Sequence, residues 1–143
     1  MPTEYNLWPL LKRNMPGVHW QRIEGVPGVP DTNGADDGTE FWIEGKMLRE
    51  GEDIPSFRTG QVAWLVEGWH AGRRCFVLVR RGDELALYKG CDAIELSRGG
   101  VAAVRPALRM TKPWDWERLR KRLTGRRGPY VWRTSRPERS ASR

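Results

Sequence analysis

The segment RCFVLVRRG, Arg74 to Gly82, constrains the fold of this chain more than any other stretch. A strand with one face in water alternates apolar and polar side chains, but here the apolar residues are nearly continuous. A short continuous run between charged residues and glycine is typical of a strand covered on both faces. The sequence therefore predicts a central strand with packed layers on either side.

A helix is predicted just before this strand. In RTGQVAWLVEGWHAG, residues 58–72, apolar side chains recur at helical spacing, and Gly72 is a typical C-cap. Upstream of that helix, TEFWIEGKML, residues 39–48, has the composition of a strand. A helix between two strands forms a crossover, so the strands through Phe41 and Phe76 are predicted to run parallel.

Shorter elements flank this unit. Residues 26–38 are rich in Gly, Pro, Asn and Asp and are predicted to form a loop or hairpin turn, and residues 49–57 form another loop. The other predicted elements are a helix at 3–14, strands at 19–25 and 83–90, a short helix with a turn within 91–106, and a helix at 113–125. This order predicts an α/β fold with a central mixed β-sheet of four to five strands flanked by helices.

The chain has 143 residues, which is typical of one domain with a single core. We divide it into a core at residues 1–104 and a basic C-terminal extension at 105–143, whose end is expected to be disordered. No apolar run approaches the roughly 20 residues that span a bilayer, and no secretory signal is visible. We therefore expect a soluble, cytoplasmic protein without a membrane partner.

Cysteine and histidine are too few for a zinc site. Cys75 and Cys91 fit no metal-ligand spacing and are expected to be thiols in a reducing compartment. His19 and His70 are the only histidines in the sequence. Any metal ion bound here would be a hard cation held by oxygen atoms.

The net charge of +7 is unevenly distributed. Residues 105–143 contain 13 Lys and Arg against 3 Asp and Glu, a charge of +10, whereas residues 1–104 contain 12 against 15, a charge of −3. A basic segment beside an acidic body suggests a polyanionic partner, because Lys and Arg release counterions when they neutralise phosphates. The alternative is a solvated extension that improves solubility.

Asp31 and the triplet Glu44-Gly45-Lys46 form the candidate site. Side chains two residues apart in a strand point to the same face, so Glu44 and Lys46 project together, and the Gly45 carbonyl is a further oxygen donor. The two carboxylates can bind one Mg²⁺ or Mn²⁺, with water and phosphate oxygens completing its coordination. Lys46 can position or deprotonate the attacking water, or stabilise developing negative charge. These residue types fit hydrolysis of phosphodiester bonds, although Glu44 and Lys46 can equally form a surface ion pair.

Three features together resemble the PD-(D/E)xK nuclease superfamily. They are a Gly-x-Pro-Asp turn ending at Asp31, an apolar strand ending in Glu44-x-Lys46, and a helix that opens with Gln61 before a hydrophobic strand. The resemblance covers about residues 3–90 and is closest to small phage and prokaryotic members akin to archaeal Holliday junction resolvases and VRR-NUC domains. It implies a restriction-endonuclease-like core and an Mg²⁺- or Mn²⁺-dependent endonuclease. It also implies branched or Holliday-junction DNA as the substrate and a homodimeric assembly.

The resemblance assigns roles to individual residues. Its catalytic positions correspond to Asp31, Glu44, Lys46 and Gln61. Asp31 and Glu44 are the implied metal ligands, Lys46 the catalytic lysine, and Gln61 a hydrogen-bond partner of a metal-bound water or a phosphate. The superfamily also has a glutamate on its first helix, for which Glu4 is favoured and Glu24 is the alternative. Each of these residues also has an ordinary structural interpretation, such as a solvent-exposed position in the first turn of a helix.

Gly45 is the one departure from the superfamily pattern, because the middle residue of the triplet is usually aliphatic or β-branched. Glycine weakens the interior of a strand and gives up a buried side chain. The metal ligands are unaffected, but an inactive relative is an alternative interpretation.

Several basic residues are predicted to contact the nucleic acid. They are Arg58, Arg73, Arg74, Arg118, Lys121, Arg122, Arg126 and Arg127. Of the eight tryptophans, Trp114 and Trp132 are candidates for stacking on bases, and packing is the ordinary role for all eight. Two other functions stay open: a non-catalytic nucleic-acid-binding protein that uses the basic extension, and an RNA-directed nuclease on the same fold.

Overall fold

A computed structural model describes residues 7–125, which form a six-stranded sheet and four α-helices. The strands are β1 His19–Arg22, β2 Thr32–Asp36, β3 Thr39–Leu48, β4 Cys75–Arg81, β5 Glu84–Lys89 and β6 Leu108–Thr111. The helices are α1 Trp8–Asn14, α2 Gln61–His70, α3 Ala93–Gly99 and α4 Trp116–Thr124, and a 3₁₀ turn, Gly90–Asp92, precedes α3. None of these helices is long and apolar enough to cross a membrane.

The six strands lie side by side in chain order. The β3–β4 pair is parallel, with Ile43 beside Phe76, and the four other neighbouring pairs are antiparallel. The prediction that the strands through Phe41 and Phe76 run parallel is therefore confirmed. Since α2 connects β3 to β4, it is the crossover helix.

Strand β4 is buried on both faces, as the apolar run predicted. Phe76 and Leu78 belong to the core cluster on one face of the sheet. Cys75, Val77 and Val79 belong to the cluster on the other face. These five side chains are at most 3% exposed, which makes β4 the centre of the fold.

Helices cover both faces of the sheet. Leu11 of α1 and Leu119 of α4 pack in the first core cluster, and Leu65 of α2 and Leu96 of α3 pack in the second. The predicted α/β architecture, a central mixed sheet flanked by helices, is therefore confirmed. The predicted strand number of four to five was too low, because the structure has six strands in residues 7–125.

The two additional strands explain that difference. Strand β2 lies inside the segment 26–38 that was predicted as a loop, and its sequence TNGAD has little intrinsic preference for a strand. It forms because its backbone pairs with both β1 and β3. Asp37 and Gly38 both have positive φ, as the tight turn between β2 and β3 requires. Strand β6 was not predicted, because four residues are too few to show the two-residue alternation of a strand.

Residues after 104 contribute to the same sheet and core. Strand β6 pairs with β5, and Leu119 and Leu123 of α4 are fully buried. The Arg74 guanidinium holds the end of α4 by donating to the carbonyls of Leu123 at 2.7 Å and Arg122 at 2.8 Å. The division of the chain at residue 104 stays a prediction. The expected disorder falls at the end of 126–143, outside the described residues.

A Gly34→Ala substitution is expected to destabilise the fold. A Cβ at Gly34 would lie 2.5 Å from Cε1 of Phe41, which is fully buried opposite it on β3. Because the ring is fully buried and packs edge to face against Trp20, we expect the free energy of unfolding to fall by about 1–3 kcal/mol, measured by urea denaturation. Gly17→Ala is the matched control, since nothing lies within 4 Å of a Cβ there. Equal stability of the two variants would contradict this account of β2–β3 packing.

Candidate active site

The candidate site lies on β3, where the crossover helix returns over the sheet. A helix that connects two parallel strands begins near their carboxyl ends and runs back across the face. The first residue of α2, Gln61, therefore comes to lie beside Glu44 and Lys46. Glu44 and Lys46 project from the same face of β3 toward α2, as their two-residue spacing predicted.

Three side chains form a closed ring of polar contacts. Glu44 Oε2 accepts a hydrogen bond from Gln61 Nε2 at 2.9 Å and lies 3.2 Å from Lys46 Nζ. Lys46 Nζ also donates to Gln61 Oε1 at 3.0 Å, and the backbone N–H of Arg58 donates to that same oxygen at 2.8 Å. Glu44 is 4% exposed and Gln61 7%. The ring therefore holds a buried carboxylate and an ammonium group in fixed relative positions.

Asp31 completes this group. Strand β2 pairs Thr32 with Ile43, so the antiparallel register places Asp31 opposite Glu44. The Asp31 N–H donates to Glu44 Oε1 at 3.2 Å, while Asp31 Oδ1 accepts from the Gly45 N–H at 3.4 Å and the Thr32 hydroxyl at 3.0 Å. We call Asp31, Glu44, Lys46 and Gln61 the β3 cluster. The structure brings together all four residues that the sequence singled out as catalytic, while their roles in a reaction stay predictions.

The charged forms of the two carboxyl groups in the β3 cluster are destabilised, chiefly by burial. Burial raises the pKa of Asp31, and hydrogen bonds from Thr32 and Gly45 oppose this shift. Burial also raises the pKa of Glu44, the negative charge of Asp31 raises it further, and Lys46 lowers it. Within the β3 cluster two carboxyl groups lie beside one ammonium group, so the ionised cluster has a net negative charge, which favours binding of a cation.

The donor set fits a hard divalent cation. Asp31 and Glu44 supply carboxylate oxygens, and Asp31 Oδ2 accepts no hydrogen bond from the described residues. Mg²⁺ and Mn²⁺ can bind through two carboxylates when water or phosphate oxygens complete the coordination. Within residues 7–125 there is no cluster of three or more His, Cys, Asp or Glu side chains that could hold a metal. The site therefore offers two acidic ligands in the described part of the chain.

The two candidates for a third acidic ligand are not placed in this cluster. Glu24 is 77% exposed and lies 3.9 Å from Arg22, and it has no described contact with Asp31 or Glu44. Glu4 lies outside the described residues. The Glu4 assignment therefore stays a prediction.

Packing explains the glycine in the middle of the triplet. Gly45 faces the residue just before α1: a Cβ would lie 3.3 Å from Leu7 Cδ1, and 3.8 Å from Asp31 Oδ2. Leu7 is 5% exposed and belongs to the first core cluster. Gly45 also stays within the continuous β3–β4 ladder, beside Leu78. The absent side chain thus leaves space for Leu7 and Asp31, and it does not interrupt the strand.

Some of the residues predicted to contact phosphates also contact other parts of this chain. The Arg73 guanidinium lies over the rings of Trp42 and Trp64, at 6.0 and 5.2 Å from their centroids. Burial lowers the pKa of Arg74, whose guanidinium binds the end of α4. Arg122 donates to the Ala107 carbonyl. Five of the described residues are exposed, namely Arg58, Arg73, Arg118, Lys121 and Arg122, while Arg126 and Arg127 lie outside the described residues.

The stacking candidates give a similarly mixed result. Trp114 donates from Nε1 to the Asp83 carbonyl at 2.8 Å and meets Trp116 edge to face, with Arg80 over its ring at 5.0 Å. Trp114 therefore packs against its neighbours. Trp132 lies outside the described residues.

Sequence reasoning missed two neighbours of the β3 cluster. The Phe57 ring lies 4.6 Å from Lys46 Nζ, and the positive charge of Arg22 lowers the pKa of Asp31 slightly against the larger effect of burial. Arg22 Nε is buried without a hydrogen-bond partner among the described residues. Neither residue belongs to a motif, so only the folded chain reveals its position.

Comparisons with known proteins find limited similarity. No protein-family model matches the chain, and no curated protein matches it. Among solved structures, it is similar to Hjc, a Holliday junction resolvase from the archaeal hyperthermophile Archaeoglobus fulgidus, with 18% sequence identity and a TM-score of 0.47. The match covers 77% of this chain and 83% of that chain. A likeness this distant supports no conclusion about function, which has to be inferred from the contacts of the β3 cluster.

The raised pKa values predict a specific pH dependence. An acid with a raised pKa in the folded state contributes stability at low pH, and this contribution is lost as the pH rises through the folded-state pKa. Asp31→Asn removes one charge of the repelling pair. Relative to wild type, we therefore expect the free energy of unfolding of this variant to increase from about pH 4 to pH 7.

Urea denaturation in the presence of a metal chelator measures this difference. Asp92→Asn is the control, because Asp92 lies in the 3₁₀ turn before α3, outside the β3 cluster. A difference between Asp31→Asn and wild type that stays constant with pH would contradict the proposed charge repulsion.

Proposed function

We propose that this chain is an endonuclease that hydrolyses DNA phosphodiester bonds with Mg²⁺ or Mn²⁺. One observation carries the proposal: the buried carboxylate of Glu44 on β3 lies beside Asp31, a partly buried acid just before β2, and beside an ammonium group that is fixed by Gln61. Burying charge is costly without compensation, and a divalent cation would supply it. The same four residues are those that the resemblance to PD-(D/E)xK nucleases implies.

Each residue has a defined task in this proposal. Asp31 and Glu44 would hold the cation, with the Gly45 carbonyl as a further donor, and a cation held there would lower the pKa of a water and neutralise phosphate charge. Lys46 places a positive charge where negative charge develops on the phosphate during hydrolysis. Gln61 donates to Glu44 and accepts from Lys46, so it fixes the orientation of both.

The finer parts of the proposal concern the substrate and assembly. Branched or Holliday-junction DNA is the substrate that the sequence resemblance implies. A homodimer accompanies it, because two symmetric cuts need two sites at a fixed separation. Residues 105–125 carry seven Lys and Arg against two Asp and Glu, a charge of +5, which favours a polyanionic partner.

A non-catalytic nucleic-acid-binding protein is the second candidate. In the described part of the chain Glu44 already has three partners, namely the Asp31 N–H, Gln61 and Lys46, which is also what a structural ion pair requires. In that case the basic extension would bind nucleic acid and the β3 cluster would stabilise the fold.

Cleavage assays distinguish the two candidates. We expect wild type to cut a four-way junction faster than linear duplex DNA or RNA, and only when Mg²⁺ or Mn²⁺ is present. Glu44→Gln and Lys46→Met should each lower the cleavage rate by about 100-fold or more, because each removes a charge needed at the phosphate. Glu50→Gln and Lys112→Met are matched controls away from the cluster. Metal-independent cleavage, or equal rates in all variants, would contradict the nuclease proposal.

Cation binding is expected to be measurable without any substrate. Mg²⁺ or Mn²⁺ should raise the melting temperature of wild type by several degrees, because a ligand that binds the folded state stabilises it. Asp31→Asn and Glu44→Gln should lose this increase, whereas Glu50→Gln should retain it. If the increase persists in both cluster variants, the cation binds elsewhere.

A further inference from the structure

Phe57 contacts Lys46, the residue whose positive charge the proposed reaction places at the phosphate. Its ring centroid lies 4.6 Å from Lys46 Nζ, within the range of a cation–π interaction. The ring is partly buried and packs against the second core cluster. Only 12% of the Lys46 side chain is exposed, so the ring is part of the wall that shields it from water.

Among residues 7–125, three neighbours lie around the Lys46 ammonium group. Glu44 Oε2 lies at 3.2 Å and Gln61 Oε1 at 3.0 Å, and the Phe57 ring is the third. A lysine side chain has many rotamers and is difficult to hold in one place. The two oxygen atoms set the direction of the ammonium group, and the ring limits its movement away from them.

Phe57 lies in the segment 52–58, which is held by hydrogen bonds at both ends. Near its start, the Arg81 guanidinium donates to the Glu52 carbonyl at 3.1 Å and also pairs with the Asp53 carboxylate. The Val101 N–H donates to the Asp53 carbonyl at 2.9 Å. At its end, the Arg58 N–H donates to Gln61 Oε1, which belongs to the β3 cluster. Phe57 therefore lies on a segment that is fixed to the sheet, to the chain after α3 and to the site.

We propose that Phe57 is a positioning residue that holds the Lys46 ammonium group in its reactive place against Glu44 and Gln61. The inference depends on the proposed nuclease function for its catalytic consequence, but the restraint on Lys46 can be measured independently. A purely structural role for Phe57 would affect stability and leave the environment of Lys46 in the folded protein unchanged.

The first experiment measures acylation of Lys46 by an amine-reactive ester, followed by peptide mass spectrometry. In wild type we expect Lys46 to react slowly compared with Lys112 in the same molecule. Phe57→Leu removes the ring but keeps an apolar side chain, and it should raise the Lys46 rate about tenfold relative to Lys112. Phe57→Tyr keeps the ring and should restore the slow rate. Ile54→Ala is the matched control, because Ile54 lies on the same segment and is 52% exposed.

The second experiment measures cleavage of junction DNA under multiple-turnover conditions. We expect Phe57→Leu to lower kcat about tenfold with little change in KM, because Lys46 acts on the reacting phosphate more than on substrate binding. Phe57→Tyr should recover most of kcat, and Ile54→Ala should match wild type. If Phe57→Leu does not fold, Phe57→Met replaces it, since methionine fills similar space without a ring.

The outcomes separate this inference from the proposed function. Unchanged Lys46 acylation in folded Phe57→Leu or Phe57→Met would overturn the positioning role, whether or not the protein cuts DNA. Faster acylation together with normal kcat in an active enzyme would overturn its catalytic consequence. If wild type cuts no DNA but the ring still protects Lys46, the restraint stands and the nuclease proposal fails.

Discussion

The parallel pairing of β3 with β4 is the constraint on which the rest of the structure depends. Parallel neighbours need a crossover, and the crossover determines where α2 begins. Strand β4 is buried on both faces, so the crossover packs on a sheet that already has α1 and α4 on the other side. The first residue of α2 consequently arrives at the face of β3 that carries Glu44 and Lys46. The position of the polar cluster is thus a consequence of how the apolar core is built.

Burial gives the β3 cluster its electrostatic character. Asp31 and Glu44 lie close together and largely out of water, and the pKa of each is raised chiefly by that burial. One ammonium group, on Lys46, compensates part of the charge, and Gln61 connects it to Glu44 without adding charge. A neutral hydrogen-bonding residue at this point leaves the cluster with excess negative charge, which a cation can balance. The glycine between Glu44 and Lys46 serves packing on the opposite face, where Leu7 lies.

Sequence patterns predicted the elements with a clear hydrophobic pattern and missed those without one. The apolar run of β4 and the helical period of α2 correctly identified both elements, and their order gave the parallel pair. Strand β2 was not predicted, because TNGAD has no apolar alternation. It is a strand because its backbone pairs with β1 on one side and β3 on the other. Its turn at Asp37 and Gly38 was the available signal. The side-chain roles of Arg74 and Phe57 were unpredictable, since their contacts, with α4 and Lys46, depend on packing between distant segments.

The sequence by itself determined that Glu44 and Lys46 share a face, because the two-residue period of a strand is local geometry. It also determined that β4 is central, because a continuous apolar run has to be covered on both sides. Only the tertiary structure decided that Asp31 lies opposite Glu44, that Gln61 joins Glu44 to Lys46, and that the Phe57 ring closes over the lysine. Those contacts depend on strand register and crossover packing, which bring together residues 11 to 17 positions apart.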